Sequence, residues 1–174
     1  MLSILTAAIQ DCKAQVFVGS GFAGADFFGP SALDSGAGFN LQMEKDFNLT
    51  RSRRLKAHPN INVSFLFSGL RQSFLPSYFN VISLSPKVSY EIISGKTFKI
   101  APFANPFASF LPGLRSNNLA FHAEKIMRYK WGVEGGLRID FSIGNTVIRL
   151  VPLSVQRSIE DFYRHGMISL LVST

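Results

Sequence analysis

The chain has 174 residues, of which 47% are hydrophobic but only 17% charged, with 17 Phe and 14 Gly. A soluble domain carries nearer ~25% charge, so this composition argues against a surface wetted on every side. The length suits one domain, the net charge of +7 favours anionic surroundings, and the single Cys excludes an intramolecular disulfide. No apolar run reaches the ~18 residues that a spanning helix needs, so a closed barrel is the only route across a membrane.

Residues 1–14 resemble an export segment: Met1 to Ile9 is mostly apolar, and Cys12-Lys13-Ala14 would precede a cut that leaves Gln15 first. Residues 15–174 then form the β-barrel domain. Period-two alternation, the mark of strands, dominates it. The first strand lies near 15–24, with Val16, Val18 and Phe22 against Gly19, Gly21 and Ala23. The next sets Ala37, Phe39, Leu41 and Met43 against Gly38, Asn40, Gln42 and Glu44. A basic link, 47–58, follows. Then Ile61, Val63, Phe65 and Phe67 alternate with Asn62, Ser64, Leu66 and Ser68. The fourth strand has Ile82, Leu84, Val88, Tyr90 and Ile92 against Ser83, Ser85, Lys87, Ser89 and Glu91. The fifth, near 97–109, contains Pro102 and Pro106, which are expected to disturb its phase.

The clearest alternation runs from Lys130 to Ile143. Trp131, Val133, Gly135, Leu137, Ile139, Phe141 and Ile143 fall on one face; Lys130, Gly132, Glu134, Gly136, Arg138, Asp140 and Ser142 fall on the other. A seventh strand near 145–157 carries Val147, Val151, Leu153 and Val155 and contains Pro152; the eighth, 163–173, carries Ile168, Leu170 and Val172. Gly95-Lys96 and Gly144-Asn145 mark tight hairpins. Longer links near 25–33, 69–80, 110–127 and 158–162 gather at the opposite end, an asymmetry found in transmembrane barrels. The predicted fold is therefore all-β, an eight-stranded antiparallel up-and-down transmembrane barrel.

Alternation alone does not say which face is inside. The polar faces are rich in Gly, Ser and Asn, which suits a narrow lumen. The apolar faces are bulky enough to coat a lipid-facing band. Aromatic residues gather at two levels. Tyr78 and Phe79, Tyr129 and Trp131, and Phe162 and Tyr163 mark one interfacial rim; Phe47, Phe98 and Phe141 mark the other. Val133, Leu137, Ile139, Phe141, Leu84 and Val88 are then lipid-facing. The opposite assignment would be a soluble, lipocalin-like barrel around an apolar ligand.

Strand count, hairpin asymmetry and the segment WGVEGGLRIDFSI make the chain similar to the small outer-membrane barrels of the OmpA/OmpX type. They are more similar still to the outer membrane β-barrel domain proteins of Bacteroidetes-like bacteria. The resemblance covers residues 15–174 and is architectural. It implies the bacterial outer membrane as location, its lipids as partners, and a structural or interaction role. One departure is the end, Leu171-Val172-Ser173-Thr174, where members of the group carry an aromatic residue.

With these faces, Glu44, Lys87, Glu91, Lys130, Glu134, Arg138 and Asp140 point into the barrel. Charges out of bulk water must pair. They are expected to form an ion-pair network in which Arg138 bridges carboxylates of neighbouring strands, either as a structural plug or around a narrow solute path. His165 and Ser169 share a face but lie roughly 13 Å apart along a strand, too far for a nucleophile–base pair, so His165 reads as a rim residue. His58 and His122 have no spaced metal-ligand partner. No catalytic residue, metal or cofactor is indicated; a lipid-modifying barrel enzyme is the catalytic alternative. The run Arg51-Ser52-Arg53-Arg54-Leu55-Lys56 lacks the aromatics of a nucleic-acid site. The loop at 110–127 is the expected contact surface for ligands or proteins.

Overall fold

A computed structural model describes residues 15–28, 33–50, 52–68, 77–117, 122–159 and 163–173. The export segment 1–14 lies outside them. The strands are β1 (Val16–Phe28), β2 (Leu33–Lys45), β3 (Phe47–Asn48), β4 (Leu55–Ser68) and β5 (Ser77–Tyr90). They continue with β6 (Ile93–Ser94), β7 (Phe98–Asn117), β8 (His122–Ile143), β9 (Thr146–Ser158) and β10 (Arg164–Ser173). Every pairing is antiparallel, and the ring closes because β1 pairs with β10 while β2 pairs with both β1 and β4. Eight long strands form the wall, with β3 and β6 as two-residue additions. Closure satisfies the backbone groups that an open sheet would leave at its edges.

Each wall strand buries alternate residues. On β2 and β4, Asn40, Gln42, Glu44, Asn60, Asn62 and Ser64 are buried, while Leu41, Met43, Ile61 and Phe67 are exposed. The same order holds on β5 and β8, where Leu84, Val88, Val133 and Phe141 are exposed and Leu137 and Ile139 half-exposed. The wall is thus apolar outside and polar inside, which excludes the lipocalin-like assignment.

Two prolines behave unlike the expectation. Pro102 and Pro106 do not disturb β7: Ala101, Phe103, Asn105, Phe107, Ser109 and Leu111 stay buried in unbroken alternation. The prolines point outward and lack an N–H to donate, and the β5–β7 ladder has no registered pair between Leu84–Ala108 and Val88–Ala104. The phase break falls instead at Pro152. Leu137 pairs Leu153 but Ile139 pairs Leu150, and the β10 register shifts between Met167 and Ser169. Strand β9 therefore carries one extra residue, a bulge. Before it the odd residues face inward, and after it the even ones do. Val151, read as part of the outward apolar row, is buried for this reason.

The ends differ as expected, with corrections in length. At one end, Gly144 takes φ 59° in the two-residue turn between β8 and β9, a conformation suited to Gly. The basic link is also compact. Phe47 pairs Ala57, and Leu49 N–H donates to the Leu55 carbonyl at 2.9 Å, so only a short turn remains there. At the other end, most of the loop read at 110–127 is strand. Leu111 pairs Arg128 and Asn117 pairs His122, which makes β7 and β8 a hairpin of 20 and 22 residues. Leu111 and Gly113 continue the inward row of β7, and this pattern overrides the turn chemistry of Pro112-Gly113.

Candidate functional site

The lumen is the densest gathering of polar chemistry among the described residues, and it is layered. Nearest the tight turns lies an ionic layer. Arg149, fully buried on β9, holds three carboxylates. Its Nε and Nη2 donate to Asp140 at 2.8 and 3.1 Å, its Nη1 and Nη2 to Asp46 at 2.8 Å each, and its Nη1 to Glu44 at 2.9 Å. The guanidinium also lies 3.7 Å from the Phe17 ring centroid, a cation–π contact. Lys87 bridges Glu44 at 2.6 Å and Glu134 at 3.5 Å. Glu91, just past β5, meets Lys56 at 2.7 Å.

His58 links both halves of this layer. Its Nδ1 lies 2.6 Å from Asp46 and its Nε2 2.7 Å from Ser89, and Arg138 reaches the same ring. A neutral imidazole that donates from Nδ1 to Asp46 has one lone pair left at Nε2, which Arg138 and the Ser89 hydroxyl share or compete for. Asp46 sits in the link between β2 and β3. Burial alone would raise its carboxyl, but the Arg149 guanidinium and the His58 hydrogen bond outweigh burial and hold it well below the ordinary carboxylate range. Glu91 is shifted the same way: burial opposes ionisation, and Lys56 more than compensates.

Above the ionic layer sit amides and hydroxyls. Ser154 and Gln156 donate to Glu134 at 2.7 and 3.1 Å, and Asn40 donates to Ser169 at 2.9 Å. His165 is fully buried beside Gln156 at 3.2 Å rather than standing at the rim. Toward the long-hairpin end an apolar layer fills the lumen, with Leu66, Phe79, Phe107, Leu111, Tyr163 and Met167 at its centre.

Of the seven expected lumen charges, Glu44, Lys87, Glu91, Glu134, Arg138 and Asp140 are buried in the ionic layer or at its edge. Lys130 shares their inward parity but is half-buried higher up, opposite Ser109. Arg138 meets two carboxylates as expected, at 3.6 Å from Glu91 and 3.7 Å from Asp140, and also reaches His58, but it is not the main bridge. Arg149 takes that role, with Asp46 and His58 as its unforeseen companions. The signal for Arg149 was present, since an arginine in the row Val147, Val151, Leu153 could not face lipid cheaply. Among the rim aromatics, Tyr78, Tyr129 and Trp131 are exposed on the outer wall. Tyr163 is only 1% exposed and packs inward on Phe107, with ring centroids 6.3 Å apart, because it lies in phase with His165 and Met167. At the opposite rim Phe98 and Phe141 pair at 5.3 Å. No group of metal-ligating side chains occurs among the described residues.

No family model and no curated protein matches the chain. Solved structures do. Neisserial surface protein A aligns with TM-score 0.59 at 11% identity, covering 94% of this chain and 99% of its own. The N-terminal β-barrel domain of Pseudomonas aeruginosa OprF gives TM-score 0.56 at 12% identity, covering 91% and 95%. Ail, the attachment invasion locus protein of Yersinia pestis, gives TM-score 0.55 at 15% identity, covering 92% and 95%. Ail has also been solved with the heparin analogue sucrose octasulfate. At these identities the likeness is one of fold. Together with the inverted wall, it defines the class of fold: a small eight-stranded up-and-down barrel with an apolar outer wall, built like barrels solved from the bacterial outer membrane.

Proposed function

We propose that this barrel is a sealed, non-catalytic interaction protein that presents the β7–β8 hairpin at the cell surface. The carrying observation is the reach of that hairpin. Strand β8 begins at His122, but its pairing with β9 starts only at Gly132 opposite Ser158. On the other side, β5 follows β7 no further than Leu114 opposite Tyr78. Over residues 122–129 one edge of β8 therefore has no neighbouring strand among the described residues, and such an edge is a template for strand addition. Tyr129, 76% exposed, and Met127, 57% exposed, stand beside it with Lys125 and Arg128. In this reading the ionic and apolar layers are a plug that fixes register and blocks conduction.

The sucrose octasulfate bound to Ail supports a polyanion as one class of surface ligand, which Lys125 and Arg128 would meet. In a test, wild-type protein in vesicles binds an immobilised sulfated polysaccharide, and K125Q/R128Q binds more weakly. A shortened hairpin lacking 113–126 loses binding yet still inserts. Planar-bilayer recordings show no unitary conductance, and lipid deacylation and acyl transfer are absent. Steady conductance, or binding unchanged by hairpin removal, defeats the proposal.

A further inference from the structure

The outer wall carries one feature that neither the lumen nor the hairpin explains. Arg157 on β9 and Arg164 on β10 are directly opposed in the sheet. Both are exposed and both lie on the lipid-facing phase. They follow Leu153 and Val155 on β9, and Ile168 and Leu170 on β10, all of which are exposed. Like charges directly opposite on one face are destabilising, and neither arginine makes an ion pair among the described residues. Asp26 lies opposite Arg164 on β1 and is exposed. The acids nearest in the chain, Glu160 and Asp161, fall outside the described residues.

Height decides what meets this pair. From Val172, near the tight-turn end, to Arg164 the strand climbs roughly 20 Å, at ~3.3 Å per residue and ~40° tilt. That places the arginines at the outer edge of the apolar band, one row past the pair Val155 and Gly166. Val133 lies beside Arg157 in the sheet, and Trp131, two residues further along β8, is exposed on the same face. Two guanidiniums over an apolar wall, with an indole at interface depth, suit an amphiphile with an anionic head and acyl chains.

We propose that Arg157 and Arg164 form a headgroup clamp for a phosphorylated lipid of the outer leaflet, whose chains lie along Val155, Ile168 and Val133. This rests on the membrane location given above. The phosphate takes charge-assisted hydrogen bonds from both guanidiniums and removes their mutual repulsion.

The test uses the full chain in vesicles of phosphatidylcholine doped with a bisphosphorylated acylated disaccharide lipid, extracted gently and weighed by native mass spectrometry. Wild type retains the phosphorylated lipid, and R157Q/R164Q retains at least about tenfold less. R157E places a carboxylate opposite Arg164, with Val133 rather than an acid on its other side. It loses the lipid but resists heat in detergent better than wild type, which separates lost binding from lost folding. The R53Q/R54Q control, at the tight-turn end, retains lipid normally. Equal retention in R157Q/R164Q, or equal retention of the dephosphorylated lipid, overturns the clamp. Displacement by millimolar inorganic phosphate assigns the site to free anion and overturns the lipid. Vesicle flotation reads location separately: wild type that fails to float defeats the membrane reading, whereas flotation without lipid selectivity defeats only the clamp.

Discussion

Replacing Arg149 with Met should destabilise the barrel more than any other single change in the lumen. The guanidinium makes five hydrogen bonds to Glu44, Asp46 and Asp140. Counted separately, at ~1.5–3 kcal/mol for each bond to a charged group, they would sum to an implausible total. Each carboxylate keeps a second partner: Lys87 at 2.6 Å for Glu44, His58 at 2.6 Å for Asp46 and Arg138 at 3.7 Å for Asp140. The appropriate figure is that for breaking one buried ionic cluster, about 3–5 kcal/mol. With a urea slope of ~2 kcal/mol per molar, the unfolding midpoint in detergent should fall by roughly 1.5–2.5 M. Trp131, the single tryptophan, reports the transition from the outer wall. A midpoint within about 0.3 M of wild type would refute the claim that Arg149 organises the ionic layer.

Three further changes probe other parts of the molecule. L84R puts a charge on the exposed apolar wall, at a cost of ~2–4 kcal/mol if that position meets the bilayer midplane; the folded fraction in phosphatidylcholine vesicles should drop, and an unchanged yield would count against a lipid-facing wall. G136V is resisted because a Cβ there would meet both the Leu153 carbonyl oxygen and the Phe103 ring at 2.5 Å. It should cost ~1–3 kcal/mol, read as a lower midpoint, and F103A in the same chain should recover part of the loss. Acidification tests Asp46 and Glu91, whose carboxyls are both shifted downward in the folded protein. A depressed carboxyl stabilises above its unfolded range and loses that contribution as protons bind, so the midpoint should fall as pH drops below about 4. D46N should flatten that slope, and a slope identical to wild type would exclude Asp46 as its source.

The wall was legible where alternation was long and unbroken. From Lys130 to Ile143 every charge on the polar face of β8 has inward parity, and Glu134, Arg138 and Asp140 are buried. What escaped did so for local reasons. One extra residue at Pro152 reverses the phase of β9, so Arg149 and Val151 belong to the lumen although they are in step with the outward Leu153 and Val155. Tyr163 precedes a short strand where aromatic character suggested a rim, while parity with His165 and Met167 decided for the interior. His58 followed a basic run and read as link, because its partners Asp46, Ser89 and Arg138 come from other segments. Long-range companionship of that kind has no local signature.

The distribution of charge connects the lumen to the surface. Among the described residues, five of the chain's 11 carboxylates (Glu44, Asp46, Glu91, Glu134 and Asp140) are drawn into the ionic layer. Five of its 18 lysines and arginines (Lys56, Lys87, Lys99, Arg138 and Arg149) pair with them among the described residues. Five acids balanced by five bases leave the whole excess of +7 on the rest of the chain. That excess includes Arg53, Arg54 and Lys96 at the tight-turn end, and Lys125, Arg128, Arg157 and Arg164 toward the hairpin, all exposed. Exposed cations at a membrane surface attract anionic headgroups. The same ion pairs that close the lumen thus bias both rims toward anionic surroundings. Adding carboxylates to the rims would weaken that attraction without touching the plug.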